Sequence, residues 1–396
     1  MNRNRLGLLA ATALLVLAAI APSCVVSTPR VVSSPVPRFA YIANQNDNNV
    51  AGYAINTASG ALTAGADSPF TGVNGPRNAA VCPSGQLLYV ANGGTTEAPG
   101  NGVSGYQIDQ TTGTLTAVPG SPFAGGSGPR GVIVDPTGNF VYVANSADNT
   151  VSGYRINSAN GTLTPVPGSP FATGTGPFGV TVDPTGRFVY VANHHSSNIS
   201  AYSINTATGA LTQITGSPFA DVEQGEEEEE ETGPFEIAVT PDASFLYVTN
   251  HFTDDVVGFS INGSTGALTE LSNGPYPAGD EPFGIVVAPS GQFVYVANRA
   301  SADVYVYSRN ASSGALTQIE GSPYSVESDE EDCGPSPYEL ALDGTGRFLY
   351  VPNNGCGNIS AFSVDGTTGE LTQLAGSPFA AGNGPYGVAI ARLRLE

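Results

Sequence analysis

A short apolar run that ends in asparagine recurs along this chain. The six residues FVYVAN occupy positions 140–145, 188–193 and 293–298. Four variants of this hexad, FAYIAN, LLYVAN, FLYVTN and FLYVPN, start at residues 39, 87, 245 and 348. Because almost every position of the hexad is apolar, both faces of such a strand must be covered by other parts of the protein. The pattern therefore predicts seven short, buried strands, and the final asparagine of each is expected to bind turn backbone.

Each hexad lies inside a longer repeat with its own turns. A turn such as DPTG (183–186) and an apolar run such as GVTV (179–182) precede it. An alternating run such as ISAYSI (199–204) and a further run, ALTQI (210–214), follow it, so the unit is four short strands joined by tight turns. Sheets stacked face to face around an axis cover both faces of the second strand. We therefore predict an all-β fold, a seven-bladed β-propeller of four-stranded antiparallel blades.

The two ends of the repeat region complement each other. The chain enters the repeats at a second strand, residues 38–44, and finishes with GPYGVAIARL (384–393), which reads as a first strand without a successor. We predict that this C-terminal strand joins the N-terminal blade and closes the ring, which removes two free sheet edges. The predicted propeller spans residues 38–396.

The N-terminal segment has the pattern of an export signal. Arg3 and Arg5 precede an apolar run over residues 6–21, so residues 1–23 are predicted to be a signal peptide. Cys24 resembles the lipidated cysteine of bacterial lipoproteins, and the alternative is ordinary cleavage after Ser23. Residues 24–37 read as a flexible tether. Both alternatives predict an extracytoplasmic protein, whether periplasmic, anchored to the cell surface or secreted, that meets a membrane only through a lipid anchor.

Composition narrows the possible partners. The net charge is −21 and all 13 basic residues are arginine, which disfavours nucleic acid as a partner. The absence of lysine excludes Schiff-base chemistry on a lysine. The 50 glycines and 30 prolines are too many for long helices. We expect a monomer without a cofactor.

Three of the repeats carry insertions that the topology places on one face, which we call the decorated face. Successive hexads start 48, 53, 48, 57, 48 and 55 residues apart. The extra residues lie at 93–102, between a second and a third strand, and at 221–232 and 326–334, between a fourth strand and the next first strand. The last two are acidic, with eight and five carboxylates, and they predict a solvated loop, a weak calcium site or a landing site for a basic protein partner.

The mouth of the central channel lies on this same face, where the first strands begin. The residues after the Gly-Pro type of turn are Arg77, Arg130, Phe178, Phe235, Phe283, Tyr338 and Tyr386. The next positions hold Asn78, Gly131, Gly179, Glu236, Gly284, Glu339 and Gly387. Arg77, Arg130 and Asn78 are candidates for ligand binding, because arginine holds carboxylates and phosphates. Glu236 and Glu339 are candidate catalytic groups that activate water, although the arginines and glutamates could simply pair with one another.

Histidines and cysteines add two further predictions. His194 and His251 occupy the same repeat position on adjacent blades and are candidate general bases, whereas the pair lacks the further ligands of a metal site. Cys333 and Cys356 lie in connections on the same face of the last blade. We predict that they form a disulfide in an oxidising compartment.

The hexads resemble a known family of repeat proteins. YVTN at 247–250, with YVAN in other repeats, is similar to the YVTN-repeat propellers and to the seven-bladed lactonase family. The resemblance implies the propeller fold and, in its 6-phosphogluconolactonase-like members, hydrolysis of a lactone. Those members often carry histidine after GPR, where this chain has Asn78 and Gly131.

Two functions follow from these features. The one that the sequence favours is an exported or surface-anchored propeller that binds a ligand or a protein through its decorated face and channel mouth. The alternative is a lactone hydrolase at the channel mouth, which would act on a lactone or sugar acid derivative. The first function requires the acidic loops, whereas the second requires the arginine and glutamate set.

Overall fold

The computed structural model describes residues 38–94, 100–220, 233–326, 333–334 and 336–391. The predicted signal peptide, Cys24 and the tether lie outside these residues. So do the acidic insertion at 221–232 and most of the one at 326–334. Within the described part of the chain, no helix is long and apolar enough to cross a membrane.

The described residues form seven antiparallel sheets, which are the blades of a propeller. We number the blades by the chain order of their second strands. Blades 1 to 7 have the second strands Arg38–Asn44, Leu87–Asn92, Phe140–Asn145, Phe188–Asn193, Phe245–Asn250, Phe293–Asn298 and Phe348–Asn353. The third strands are Asn49–Ile55, Asn101–Ile108, Thr150–Ile156, Asn198–Ile204, Asp255–Ile261, Asp303–Arg309 and Asn358–Val364. The fourth strands are Leu62–Ala64, Leu115–Ala117, Leu163–Pro165, Leu211–Gln213, Leu268–Glu270, Leu316–Gln318 and Leu371–Gln373.

The first strands of successive blades neighbour one another around the central axis. For blades 2 to 7 they are Pro76–Val81, Pro129–Val134, Pro177–Val182, Pro234–Val239, Pro282–Val287 and Ala341–Leu342. In six blades a short fifth strand pairs with the third, which the sequence did not predict. These fifth strands are Phe123–Ser127, Phe171–Ala172, Phe219–Ala220, Tyr276–Pro277, Tyr324–Ser325 and Phe379–Ala380.

Closure of the ring by the C-terminal strand is confirmed. Pro385–Ala391 pairs antiparallel with Arg38–Asn44 and is the first strand of blade 1. Arg38 also forms an ion pair with Asp343 of blade 7, which joins the two blades that the chain ends bring together. The second strand of blade 1 is therefore paired on both of its edges.

The hexad is repeated because it joins each blade to the next. Its apolar side chains contribute to seven core clusters, and each cluster lies between two neighbouring blades. Its tyrosine is fully buried, and the hydroxyl donates to a glycine carbonyl in the turn before the fourth strand of the next blade. The seven pairs are Tyr41–Gly113, Tyr89–Gly161, Tyr142–Gly209, Tyr190–Gly266, Tyr247–Gly314, Tyr295–Gly369 and Tyr350–Gly60.

The final asparagine of the hexad makes different bonds from those that the sequence suggested. We expected it to bind turn backbone. Instead its amide donates mainly to side chains near the start of the third strand, as Asn193 does to Asn198 at 2.8 Å and to Ser200 at 2.9 Å. The antiparallel register explains the difference, because Asn193 lies directly opposite Asn198. This asparagine therefore joins two strands at the decorated face.

A bulge at the start of the first strands directs side chains into the channel. In each blade a proline pairs with the asparagine of the hexad, as Pro234 does with Asn250. In five blades the register then skips the next two residues, which are the two positions named above for the channel mouth, and in blade 1 it skips Tyr386 alone. Bulges commonly aim side chains at functional sites.

Candidate functional site

Five aromatic rings form a continuous arc at the channel mouth. The centroid distances are 4.5 Å for Phe178–Phe235, 3.8 Å for Phe235–Phe283, 4.7 Å for Phe283–Tyr338 and 4.4 Å for Tyr338–Tyr386. All five residues occupy the position after the first-strand proline, in blades 4 to 7 and 1. Blades 2 and 3 carry arginine there and complete the circle.

Arg77 and Arg130 lie at the two ends of the aromatic arc. The Arg77 guanidinium carbon lies 5.1 Å from the centroid of the Tyr386 ring, and that of Arg130 lies 4.5 Å from the Phe178 ring. Burial, followed by the charge of Arg130, lowers the pKa of the Arg77 guanidinium. The Arg77 side chain passes over Gly93, where an added Cβ would lie 2.4 Å from its Cγ. Glycine at this position therefore makes room for Arg77.

Neither arginine forms an ion pair with any residue that the structure describes. The Nε atom of Arg77 is buried and has no hydrogen-bond partner among those residues. Two neighbouring cations without carboxylate partners repel each other, and an anion between them would relieve that repulsion. The pair therefore fits an anionic group or an oxygen that gains negative charge.

Glu236 and Glu339 bind each other rather than the arginines. Their side chains share a hydrogen bond, and Asn78 Nδ2 donates to Glu339 Oε1 at 3.2 Å. Burial raises the pKa of Glu236 from its ordinary value of 4.5 to about 7. Burial and the neighbouring Glu236 together raise the pKa of Glu339. The suggestion that these glutamates simply pair with the arginines is therefore wrong for the described residues.

The carboxyl groups of the pair meet beside the glycine of the blade between them. Glu236 belongs to blade 5 and Glu339 to blade 7, with Gly284 of blade 6 between them. A Cβ on Gly284 would lie 2.7 Å from the carbonyl oxygen of Tyr338 and 2.9 Å from Cα of Glu339. Both glutamates are half-buried, so part of their surface stays open to the channel. Two such carboxyl groups can hold one proton between them.

His194 and His251 lie on the decorated face beside the aromatic arc. Each follows the asparagine of its hexad, and its backbone N–H donates to the carbonyl of the residue before the first strand of its own blade, Gly176 or Gly233. The His194 ring lies 4.9 Å from that of Phe178, and the His251 ring lies 4.8 Å from that of Phe283.

Burial disfavours the charged form of both histidine rings. Burial lowers the pKa of His194 to about 4, and burial also lowers the pKa of His251. The Nδ1 atom of each ring is buried without a hydrogen-bond partner in the described part of the protein. Their role as general bases stays a prediction.

Arg299 is a third arginine at the mouth, and the sequence analysis missed it. Its Nε lies 2.6 Å from Glu281 Oε2, and its Nη1 donates to the Tyr338 hydroxyl at 3.4 Å. Glu281 has a φ of 53°, a left-handed conformation that glycine adopts at the same position in five other blades. The repeat pattern could have identified Arg299, because it directly follows the asparagine of its hexad, as His194 and His251 do in their blades.

The disulfide between Cys333 and Cys356 is confirmed, with sulfur atoms 2.07 Å apart. It ties the connection that leads to Tyr338 and Glu339 to the loop after the hexad of blade 7. The site segment of this blade is therefore covalently anchored on the decorated face.

Comparison with known proteins agrees with this architecture. The family model for the seven-bladed β-propeller lactonases matches residues 26–121, 117–225 and 218–328. The chain belongs to this lactonase family. A comparison with curated protein sequences gives no significant match.

Several solved structures share the fold of this lactonase-family propeller. The periplasmic gluconolactonase of Pseudomonas aeruginosa is 18% identical, with a TM-score of 0.73 over 90% of this chain and 100% of its own. A candidate 6-phosphogluconolactonase from Bacteroides fragilis is 20% identical, with a TM-score of 0.72 over 92% of this chain and 100% of its own. A protein from Lactobacillus plantarum is 22% identical, with a TM-score of 0.72 over 90% of this chain and 99% of its own. At these identities the likeness concerns the fold.

Proposed function

We propose that this protein is a hydrolase that opens a lactone at the channel mouth. One arrangement supports this activity more than any other. A carboxyl pair, in which the pKa of Glu236 is raised to about 7, lies in the same ring of first strands as two arginines without carboxylate partners. A general base is most effective when its pKa lies near the working pH.

The reaction needs one proton acceptor and one proton donor, and the carboxyl pair offers both. The ionised carboxylate, assigned to Glu236, takes a proton from water as the water oxygen attacks the lactone carbonyl carbon. Arg77 or Arg130 stabilises the negative charge that develops on the carbonyl oxygen. The bond between the carbonyl carbon and the ring oxygen then breaks, and the ring oxygen takes the proton of Glu339. The product is the open hydroxy acid, and the hydrogen bond between the glutamates returns the proton to Glu339.

The expected substrate is a lactone of a sugar acid. Aromatic faces such as Tyr338 and Tyr386 can pack against a sugar ring, and the second arginine can bind an acidic substituent. The relatives named above as a gluconolactonase and a candidate 6-phosphogluconolactonase are consistent with this class. The predicted export of the chain favours an unphosphorylated lactone, since phosphorylated sugars are cytoplasmic metabolites.

The experiment is a pH-stat assay of acid release over a panel that includes gluconolactone and 6-phosphogluconolactone. We expect the wild-type protein to exceed the uncatalysed rate and Glu236→Gln to lower kcat by about 100-fold or more. Activity should rise as the pH increases through about 7, because the base must lose its proton. Glu320→Gln, at an exposed turn, is the matched control and should retain full activity.

Two results would contradict this function. One is a rate for every lactone that equals the uncatalysed rate. The other is turnover that Glu236→Gln leaves unchanged while His194→Gln removes it, which would assign the base to the histidine. A binding role for the acidic loops stays a prediction, because those loops lie outside the described residues.

A further inference from the structure

The fifth position of the hexad divides the blades into two groups. Five blades have alanine there, blade 5 has Thr249, and blade 7 has Pro352. Blades 5 and 7 also carry the two glutamates, with Glu236 in the first strand Pro234–Val239 and Glu339 two residues before the first strand Ala341–Leu342. The hexad is otherwise nearly constant, so the departures coincide with the two candidate catalytic carboxyl groups.

Thr249 contacts the strand that carries Glu236. The backbone N–H of Glu236 donates to Thr249 Oγ1 at 3.1 Å, and Thr249 Oγ1 donates to the carbonyl oxygen of Phe283 at 2.6 Å. Thr249 is fully buried. Phe283 directly precedes Gly284, the residue that separates the two glutamates around the channel. The threonine hydroxyl therefore links the backbone N–H of Glu236 to the backbone of Phe283, next to the glycine that lies between the two glutamates.

Pro352 acts on the other strand by removing a donor. Ala361, which lies opposite Tyr350, directs its N–H and its carbonyl to the outer part of the blade. Residue pairs of an antiparallel ladder alternate between bonded and non-bonded, so the backbone N–H and carbonyl of Tyr350 point to the first strand. Pro352, two residues later, points the same way. Proline has no N–H to offer there. The ladder of blade 7 is limited to Ala341–Leu342 and one bridge at Pro337.

We propose that Thr249 is a positioning residue that fixes Glu236 against Glu339 through its hydroxyl group. The blade itself does not need this hydroxyl, because five blades of the same protein fold with alanine at the equivalent place. The substitution Thr249→Ala therefore restores the repeat sequence and removes the hydroxyl that links the Glu236 N–H to the Phe283 carbonyl. Small displacements of a reacting group lower rates strongly even when binding is unchanged.

The test compares full-length Thr249→Ala, Thr249→Ser and the wild type, with Thr212→Ala on an exposed outer strand as the control. Thr249→Ala should lower kcat for the best lactone by about 10-fold or more, with KM within about 3-fold. Thr249→Ser keeps the hydroxyl and should restore kcat to within about 3-fold. If Thr249→Ala does not fold, Thr249→Val removes the hydroxyl at nearly constant volume and replaces it in the comparison.

A second measurement separates this inference from the proposed activity. Only the kinetic test depends on that activity, because it requires a lactone that the protein hydrolyses. The melting temperature is followed from pH 5 to pH 8, a range that includes the pKa of about 7 to which burial raises Glu236. Thr249→Ala should change the slope of this profile, whereas Thr249→Ser should reproduce the wild-type slope. If the wild type opens no lactone but the profiles differ in this way, the positioning role stands and the hydrolase proposal fails. Identical profiles, or identical kcat values, for Thr249→Ala and the wild type would overturn the inference.

Discussion

The buried carboxyl pair should make the protein less stable as the pH rises, and Glu236→Gln should remove much of that loss. Burial raises the pKa of Glu236 from 4.5 to about 7 in the folded protein. The folded state therefore holds a proton that the unfolded state releases between these two pH values. Such a group stabilises the fold fully below its unfolded pKa, and this contribution is lost as the pH rises through the folded pKa.

The magnitude follows from the size of the change in pKa. An increase from 4.5 to about 7 corresponds to a contribution of about 3 kcal/mol to the free energy of unfolding. For a domain of this size, about 3 kcal/mol shifts the melting temperature by about 4 °C. Glutamine is neutral at every pH, so Glu236→Gln lacks this titration and should gain about 4 °C relative to the wild type between pH 4 and pH 8.

The assay is thermal unfolding at four or five pH values for wild type, Glu236→Gln and the exposed control Glu320→Gln. The informative quantity is the difference in melting temperature between variant and wild type, because the carboxylates other than the neighbouring Glu339 contribute equally to both. We expect this difference to grow between pH 4.5 and 7 and to stay constant above pH 7. A difference that is the same at all pH values would show that Glu236 titrates in its ordinary range, and the argument for a poised base would fail.

Two further predictions concern the bonds between and within blades. Tyr142→Phe removes the hydroxyl that donates to the buried carbonyl of Gly209 and should lower stability by about 1–2 kcal/mol, whereas Tyr305→Phe on a half-buried ring should change it little. Equal melting temperatures for both variants would contradict a role of this bond in joining blades. Cys333→Ser opens a disulfide of sequence separation 23 and should cost about 3 kcal/mol in denaturant unfolding. Labelling of Cys356 in the wild type without reductant, to the same extent as with it, would contradict the disulfide.

The propeller fold could be predicted from the sequence because each repeat shows where its strands and turns lie. The hexad, its turns and its alternating neighbours recur seven times, so an interpretation of one blade applies to the others. The count of strands at each end also predicted the closing pair of Arg38–Asn44 and Pro385–Ala391. Strand periodicity and turn chemistry are local properties of a chain, and local properties can be read in order along it.

The repeat register predicted which residues lie in the candidate site, but it did not predict which residues each of them contacts. Arg77, Arg130, Glu236 and Glu339 were predicted at the mouth because each follows a first-strand proline. The sequence suggested that the two kinds of charge might pair, whereas the glutamates pair with each other and the arginines stack on aromatic rings. Arg299 was missed, although it shares its repeat position with the two histidines.

Sequence alone thus determined which positions face the channel, and the tertiary structure decided what those positions do to one another. Glu236 and Glu339 are about a hundred residues apart, and the packing of blades 5, 6 and 7 brings their carboxyl groups together. Their raised pKa values come from burial among residues of several blades, which no local pattern encodes. A pKa depends on the dielectric surroundings and on neighbouring charges, and both exist only when the seven blades are assembled.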